Sequence, residues 1–109
     1  MITLEDFEKV DIRIGKIIES EINVKAKKPA YKLTIDFGEE IGIKTSSAQL
    51  TEVYNAAELV GLQIIAVVNF PPRNVAGVVS EVLVLGCNSR QGTVLLQPER
   101  TVEEGIIIY

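Results

Sequence analysis

Histidine and tryptophan are absent from this 109-residue chain, and cysteine occurs only once, as Cys87. The lack of histidine removes the commonest general base and the commonest zinc ligand. A single cysteine cannot form an internal disulfide, which favours a reducing, cytoplasmic compartment. No glycine-rich phosphate loop is present either. We therefore predict a protein that is not an enzyme and that holds no metal and no cofactor.

Long apolar runs are missing as well. No stretch of about 18 consecutive apolar residues occurs, and the first residues lack the basic-then-apolar pattern of a secretory signal. These two absences predict a cytoplasmic protein with no membrane insertion. The length suits a single domain over residues 1–109.

Basic residues are in the minority, and the formal net charge is -4. An acidic surface repels polyanions, so the overall charge argues against a nucleic-acid partner. The charge is uneven, however, because residues 9–44 hold eight Lys and Arg against six Asp and Glu. The polar loop 23–30 carries Lys25, Lys27 and Lys28 and no acidic residue, which predicts a locally positive surface.

What the chain does contain is a series of short apolar stretches. Alternation and β-branched residues predict strands over 10–22, 31–37, 63–70, 80–85, 94–98 and 106–108. Gly15 interrupts the first of them and predicts a bulge or a bend.

Two short helices have capping signals. Thr3 and Asp6 form a capping box at the start of a helix over residues 2–9. Asn55 caps a second helix that stops at Gly61, within a helical insert over residues 46–61. This order of elements is typical of an all-β protein with minor helix. We expect a five-stranded Greek-key barrel of the oligonucleotide/oligosaccharide-binding (OB) type, with an N-terminal helix and a C-terminal strand extension.

The turn after the predicted strand 63–70 is stiff. Pro71 and Pro72 remove two backbone donors, so strand pairing is expected to stop at Phe70. Gly77 permits a backbone angle that a side chain would resist. Arg73 then projects from a rigid turn, as a recognition group or, in the alternative, as a solvated arginine of an ordinary hairpin loop.

The outer face of the barrel is a second candidate surface. Alternation along 31–37 places Lys32 and Thr34 on the side opposite the core. We expect Ile41 and Ile43 to continue the inner face, and Lys44 and Ser46 to join Lys32 outside, near the lysine loop. In the OB fold this face and this loop form the usual ligand surface. The alternative is a solvated strand face without a ligand.

Several sequence blocks resemble one family. Residues 6–17 (DFEKVDIRIGKI) resemble the opening signature of the stand-alone tRNA-binding domains, which include the C-terminal domain of bacterial methionyl-tRNA synthetase and endothelial monocyte-activating polypeptide. The blocks KPAYKL (28–33), IDFG (35–38), SSAQL (46–50) and NFPPR (69–73) are more similar still to the CsaA type of bacterial secretion chaperone. The resemblance implies a homodimer of OB barrels, with export-chaperone activity and tRNA binding both attributed to the group.

One family motif is only partly present. The Ser-x-Gly-Met motif that contacts RNA in relatives falls on residues 80–83, where Ser80 matches and Val82 and Leu83 do not. Because of this departure, the first of two candidate functions is an ATP-independent, export-related chaperone that binds unfolded or precursor polypeptides. The alternative is a structure-specific tRNA-binding protein. The candidate residues for polypeptide binding or for the dimer seam are Phe70, Pro71, Pro72, Arg73, Val78 and Val79. Those for RNA are Lys25, Lys27, Lys28, Lys32, Lys44 and Ser80.

Overall fold

The computed structural model describes all of residues 1–109. The elements in chain order are α1 (Leu4–Glu8), β1 (Ile12–Ile22), β2 (Tyr31–Asp36), α2 (Gly38–Ile41), β3 (Ile43–Ala48), α3 (Ala56–Leu59), β4 (Gln63–Val67), β5 (Arg73–Val75), β6 (Val78–Ser80), β7 (Leu83–Val84), β8 (Gly86–Ser89) and β9 (Gly92–Leu95). None of the helices is long and apolar enough to cross a membrane.

Five strands form one antiparallel sheet in the order β3-β2-β1-β4-β7. The long strand β1 makes this possible, because its first half pairs with β4 and its second half pairs with β2. The sheet curls until β3 approaches β6 and β7, which nearly closes a barrel. This architecture confirms the predicted OB-type fold, with β5–β6 and β8–β9 as two added ribbons.

The barrel interior is filled by the residues that alternation predicts. Leu33, Ile35 and Phe37 are fully buried, together with Ile17 of β1 and Ile64 of β4. Such burial is worth about 1.5–3 kcal/mol for each large apolar side chain.

Gly15 makes room for core side chains that pack on β1. The break in the β1–β2 register lies between Ile17 and Glu19, so the bulge is not at Gly15. A Cβ at Gly15 would lie 2.6 Å from both the Ile35 and the Phe37 side chains. Glycine is therefore needed here because the Phe37 ring packs directly on the backbone of β1.

The predicted orientation of β3 is wrong by one residue. Ser46 lies opposite Leu33 and Lys44 lies opposite Ile35, so both share the inward face rather than the face of Lys32 and Thr34. Ser46 is only 1% exposed, whereas Ile43, expected inside, is 60% exposed. The reason is a tertiary contact: the Ser46 hydroxyl donates to Val82 O at 3.1 Å, which holds this face of β3 inside the barrel. A one-residue slip moves every side chain to the other face of a strand.

The predicted capping box of α1 and the predicted Asn55 cap of α3 are both present, and the latter is also a capping box. The Thr3 and Asp6 side chains each bond to the other residue's backbone amide, and Asn55 and Glu58 do the same at α3. The predicted insert over 46–61 is too long, however, because its first residues belong to β3. The segment 106–108 is not a full strand. It joins β1 through single backbone bonds, such as Ile14 N to Ile106 O at 3.1 Å and Ile108 N to Ile12 O at 2.8 Å.

Candidate functional site: a groove beside the proline ribbon

The NFPPR block is held in place by its asparagine. The Asn69 side chain accepts a bond from Asp11 N at 2.9 Å and donates one to Lys9 O at 2.8 Å. Strand β4 ends at Val67, three residues before the predicted end at Phe70. After β4 the chain leaves the sheet at Asn69, which bonds to the junction between α1 and β1, and Pro71 and Pro72 follow.

The following residues form a tight ribbon instead of a simple loop. Strands β5 and β6 are joined by Ala76 and Gly77, whose φ angles of 50° and 86° are both positive, as in a type I′ hairpin turn. The prediction for Gly77 is confirmed. The predicted strand over 80–85 is split, since β6 ends at Ser80 and β7 begins at Leu83.

Register decides which ribbon residues face the barrel. Arg73 lies opposite Ser80 and Val75 lies opposite Val78, so these four share one face. Val79 lies opposite Asn74, on the other face of the ribbon. Val78 is buried beneath the ribbon, and Val79 is exposed.

A groove of about 310 Å³ runs between this ribbon and β3, and we call it the ribbon groove. Its lining residues are Ser47, Gln49, Phe70, Pro71, Arg73, Val75, Ser80, Glu81, Val82 and Leu83. The structure thus brings three of the predicted polypeptide-site residues together, namely Phe70, Pro71 and Arg73. Pro72, Val78 and Val79 do not line the groove.

Hydroxyl groups close the base of the ribbon groove. Ser46 Oγ lies 3.3 Å from Ser80 Oγ and donates to Val82 O at 3.1 Å. Ser80 Oγ also accepts from Ser47 N at 3.3 Å. Thr45 Oγ1 donates to Val79 O at 2.6 Å. Side-chain hydroxyls therefore take the place of a regular strand ladder where β3 meets β6.

Two of the predicted RNA-binding lysines are paired with carboxylates. Lys44 Nζ lies 3.8 Å from Glu81 Oε2, and Glu81 Oε1 accepts a bond from the amide of Thr45 at 3.1 Å. Lys32 Nζ lies 3.8 Å from Glu21 Oε1. Arg73, in contrast, has no acidic group within 4.0 Å and is exposed. The free cation of the ribbon groove is therefore Arg73.

The three lysines of the loop 23–30 form a separate basic surface. Lys25, Lys27 and Lys28 are exposed and make no ion pair. The loop is attached to the ribbon, since Asn23 Nδ2 donates to Ala76 O at 3.3 Å. Ser80 lies at the other end of the ribbon and is committed to the hydroxyl network. The six predicted RNA residues therefore do not form one site.

Sequence reasoning missed three polar residues of the ribbon groove: Ser47, Gln49 and Glu81. Their place depends on the register of β3 and on the approach of β6, and both arise from contacts far apart in the chain. The one local signal was the block SSAQL, which the resemblance singled out without assigning it a role.

Apolar side chains are exposed around the start of β1. Helix α1 buries none of its residues, and Ile2 and Leu4 are among the most exposed. The C-terminal residues Ile107 and Tyr109 are also exposed, beside the same end of β1 that Ile108 reaches with its backbone. An apolar cluster of this kind commonly marks an interaction surface.

Comparison with known proteins identifies the family of this chain. Residues 12–106 match the family model described as the putative tRNA-binding domain. The chain belongs to the tRNA-binding domain family, together with the CsaA proteins. The crystal structure of the CsaA chaperone protein from Picrophilus torridus is 52% identical, with a TM-score of 0.95 and full coverage of both chains. The chaperone CsaA of Bacillus anthracis is 50% identical, with a TM-score of 0.93, and is covered over 99% of its length.

The family also contains much longer proteins. The methionine–tRNA ligase of Methanococcoides burtonii is 38% identical over the whole of this chain, which spans only 16% of the ligase. This chain therefore corresponds to a small part of the curated relatives that it matches. The resemblance seen in the sequence blocks is confirmed.

Proposed function

We propose that this protein is an ATP-independent, export-related chaperone that binds unfolded or precursor polypeptides as a homodimer in the cytoplasm. The observation that carries the proposal is the match to two CsaA chaperones across essentially the full length of each chain. The ribbon groove supports it, because Phe70 and Pro71 offer apolar surface and Arg73 offers an unpaired charge. An extended segment bound in such a groove is recognised mainly through its main chain, which tolerates many client sequences.

The proposed dimer accounts for the exposed apolar residues of the termini. Helix α1 is too short to be stable alone, and it buries no side chain in its own subunit. Phe70, which is 49% exposed, follows the residue that bonds to the α1–β1 junction. A second subunit that covers this region would bury the two exposed termini together with one edge of Phe70.

Light scattering over a dilution series tests the dimer. We expect a dimer mass at micromolar concentration, and Phe70→Ala should raise the dissociation constant by about tenfold or more, as for a buried aromatic at an interface. Val60→Ala is the matched control, because Val60 is equally exposed and belongs to the α3 region. A monomer mass for the unmodified protein would contradict the proposal.

Suppression of aggregation tests the activity. We expect guanidinium-denatured citrate synthase to remain in solution after dilution into equimolar dimer without ATP. Absence of protection, with tight tRNA binding in the same buffer, would reverse the order of the two candidate functions.

The second candidate function is tRNA binding, and one observation favours it. Lys25, Lys27 and Lys28 form an exposed, unpaired basic loop in a chain of the tRNA-binding domain family. Binding there would depend on phosphate contacts and would weaken steeply with salt. Lys32 and Lys44 contribute less to this surface, because each is paired with a carboxylate.

A further inference from the structure

The ribbon groove does not end at β3. A second depression, of about 200 Å³, is lined by apolar residues that include Leu50, Leu83 and Leu95. A third, of about 430 Å³, is polar and is lined by residues that include Lys28, Asn88 and Thr93. The ribbon groove and the apolar depression share the lining residues Ser47, Gln49 and Leu83. The apolar and the polar depressions share Gln49 and Thr93. The three depressions are therefore neighbours around Gln49, and we call the series the channel.

Gln49 offers unused main-chain groups at the middle of this channel. It lies just past the end of β3, and neither its N–H nor its C=O bonds to another group of the protein. Two residues earlier, Ser47 N already turns away from β2 to bond Ser80 Oγ. Leu50 N bonds to Ala48 O at 3.1 Å, so the chain turns at Gln49 and leaves the Gln49 N–H and C=O free to bond a ligand. A polypeptide in the channel can bond to these two groups through its main chain.

Charge differs along the channel. At the ribbon end Arg73 is unpaired, because the only carboxylate there, Glu81, is held by Lys44 and Thr45. The centre is apolar. At the far end Lys28 and Glu52 offset each other in charge, and the other lining groups are neutral amides, hydroxyls and backbone. The channel thus changes from cationic to apolar to neutral polar.

We propose that this channel binds an extended polypeptide segment with an acidic residue at the Arg73 end, apolar residues over Leu83, and neutral polar residues beyond Gln49. The proposal rests on the proposed chaperone function and specifies which client segments it selects. RNA fits the channel poorly, because the centre is apolar and two carboxylates, Glu81 and Glu52, line it.

Two labelled peptides test the selection by fluorescence anisotropy. Each is about nine residues long, which spans ~30 Å when extended. One has aspartates, then leucines, then serines, and the other has lysines in place of the aspartates. We expect the aspartate peptide to bind at least about tenfold more tightly, and Arg73→Glu to reverse the preference. Lys16→Glu is the charge control, because Lys16 is also unpaired but lies outside the channel.

A second pair of variants tests the apolar centre. Leu83→Asn should weaken binding of both peptides by at least about fivefold. Val60→Asn should not, although Val60 and Leu83 are equally exposed. Methylation of the central peptide amides should also weaken binding, since it removes the donors that can bond to Gln49 C=O. Circular dichroism establishes that each variant is folded.

The outcomes separate the channel from the chaperone function. The channel proposal is overturned if the protein suppresses aggregation but binds neither peptide, or binds both equally well. It is also overturned if Arg73→Glu leaves the peptide preference unchanged. In each of these cases the chaperone function still stands. Failure of the unmodified protein to suppress aggregation overturns the chaperone function itself.

Discussion

The side-chain oxygen of Asn69 accepts a hydrogen bond from the backbone amide of Asp11, with 2.9 Å between the two atoms. The nitrogen of the same side chain donates to the carbonyl of Lys9. One amide thus joins the end of β4 to the point where α1 becomes β1. The NFPPR block therefore has a structural residue at its start and an unpaired cation, Arg73, at its end.

Removal of the Asn69 amide should destabilise the fold. We expect Asn69→Ala to lower the free energy of unfolding by about 1–2 kcal/mol, because two hydrogen bonds are lost at a solvent-accessible position. Asn69→Asp keeps the acceptor for Asp11 and should lose less. Urea unfolding at a fixed protein concentration measures both. Asn88→Ala is the control, since the Asn88 side chain is exposed and makes no hydrogen bond; an equal loss for Asn88→Ala would contradict the assignment.

Gly15→Ala should be more costly than an ordinary glycine substitution in a strand. The new methyl group would overlap Ile35 and Phe37, and such overpacking typically costs about 1–3 kcal/mol. Phe37→Leu makes room for it, so the double variant should lose less than the sum of the two single variants. Thermal and urea unfolding of the three proteins measures this coupling. Additive losses would show that the Phe37 ring does not cause the strain.

Acid should weaken the start of α1 through Asp6. The hydrogen bond from the backbone of Thr3 lowers the pKa of Asp6 below its ordinary 3.8. A lowered pKa in the folded state means that the charged carboxylate stabilises the fold above the unfolded pKa, and that this contribution is lost as the pH falls through the lowered value. Asp6→Asn should therefore make the unfolding midpoint less dependent on pH between about 5 and 3.

The control for Asp6 lies in the same helix. Glu5 precedes Asp6 and its side chain makes no hydrogen bond. Glu5→Gln should therefore leave the pH dependence close to that of the unmodified protein. A flattening of similar size in both variants would assign the effect to general helix charge and not to the capping box.

The lysine loop should determine the salt dependence of any tRNA binding. Substitution of Lys25, Lys27 and Lys28 by alanine should reduce the slope of log affinity against log salt by about two to three units, at roughly 0.7 to 0.9 for each lost phosphate contact. Lys32→Ala should change the slope less, because Lys32 is paired with Glu21. Filter binding over a salt series measures the slopes. A slope that the triple substitution leaves unchanged would place the RNA elsewhere.

The sequence by itself determined the local features of this protein. The two capping boxes, the inward alternation of Leu33, Ile35 and Phe37, and the turn at Gly77 depend on residues a few positions apart. Each therefore follows from backbone geometry and from the hydrogen bonds of neighbouring groups. The family could also be recognised in this way, since its sequence blocks are short and contiguous.

Tertiary structure alone decided the register of β3 and the candidate site. Ser46 turns inward because its hydroxyl bonds to Ser80 and Val82, more than thirty residues away. Glu81 neutralises Lys44 for the same reason, since β6 and β7 reach β3 only when the barrel curls closed. Alternation fixes which residues of a strand share a face, but it cannot say which of the two faces is inside. The partner strands make that choice by burying one face, and in β3 they bury the face that carries Ser46.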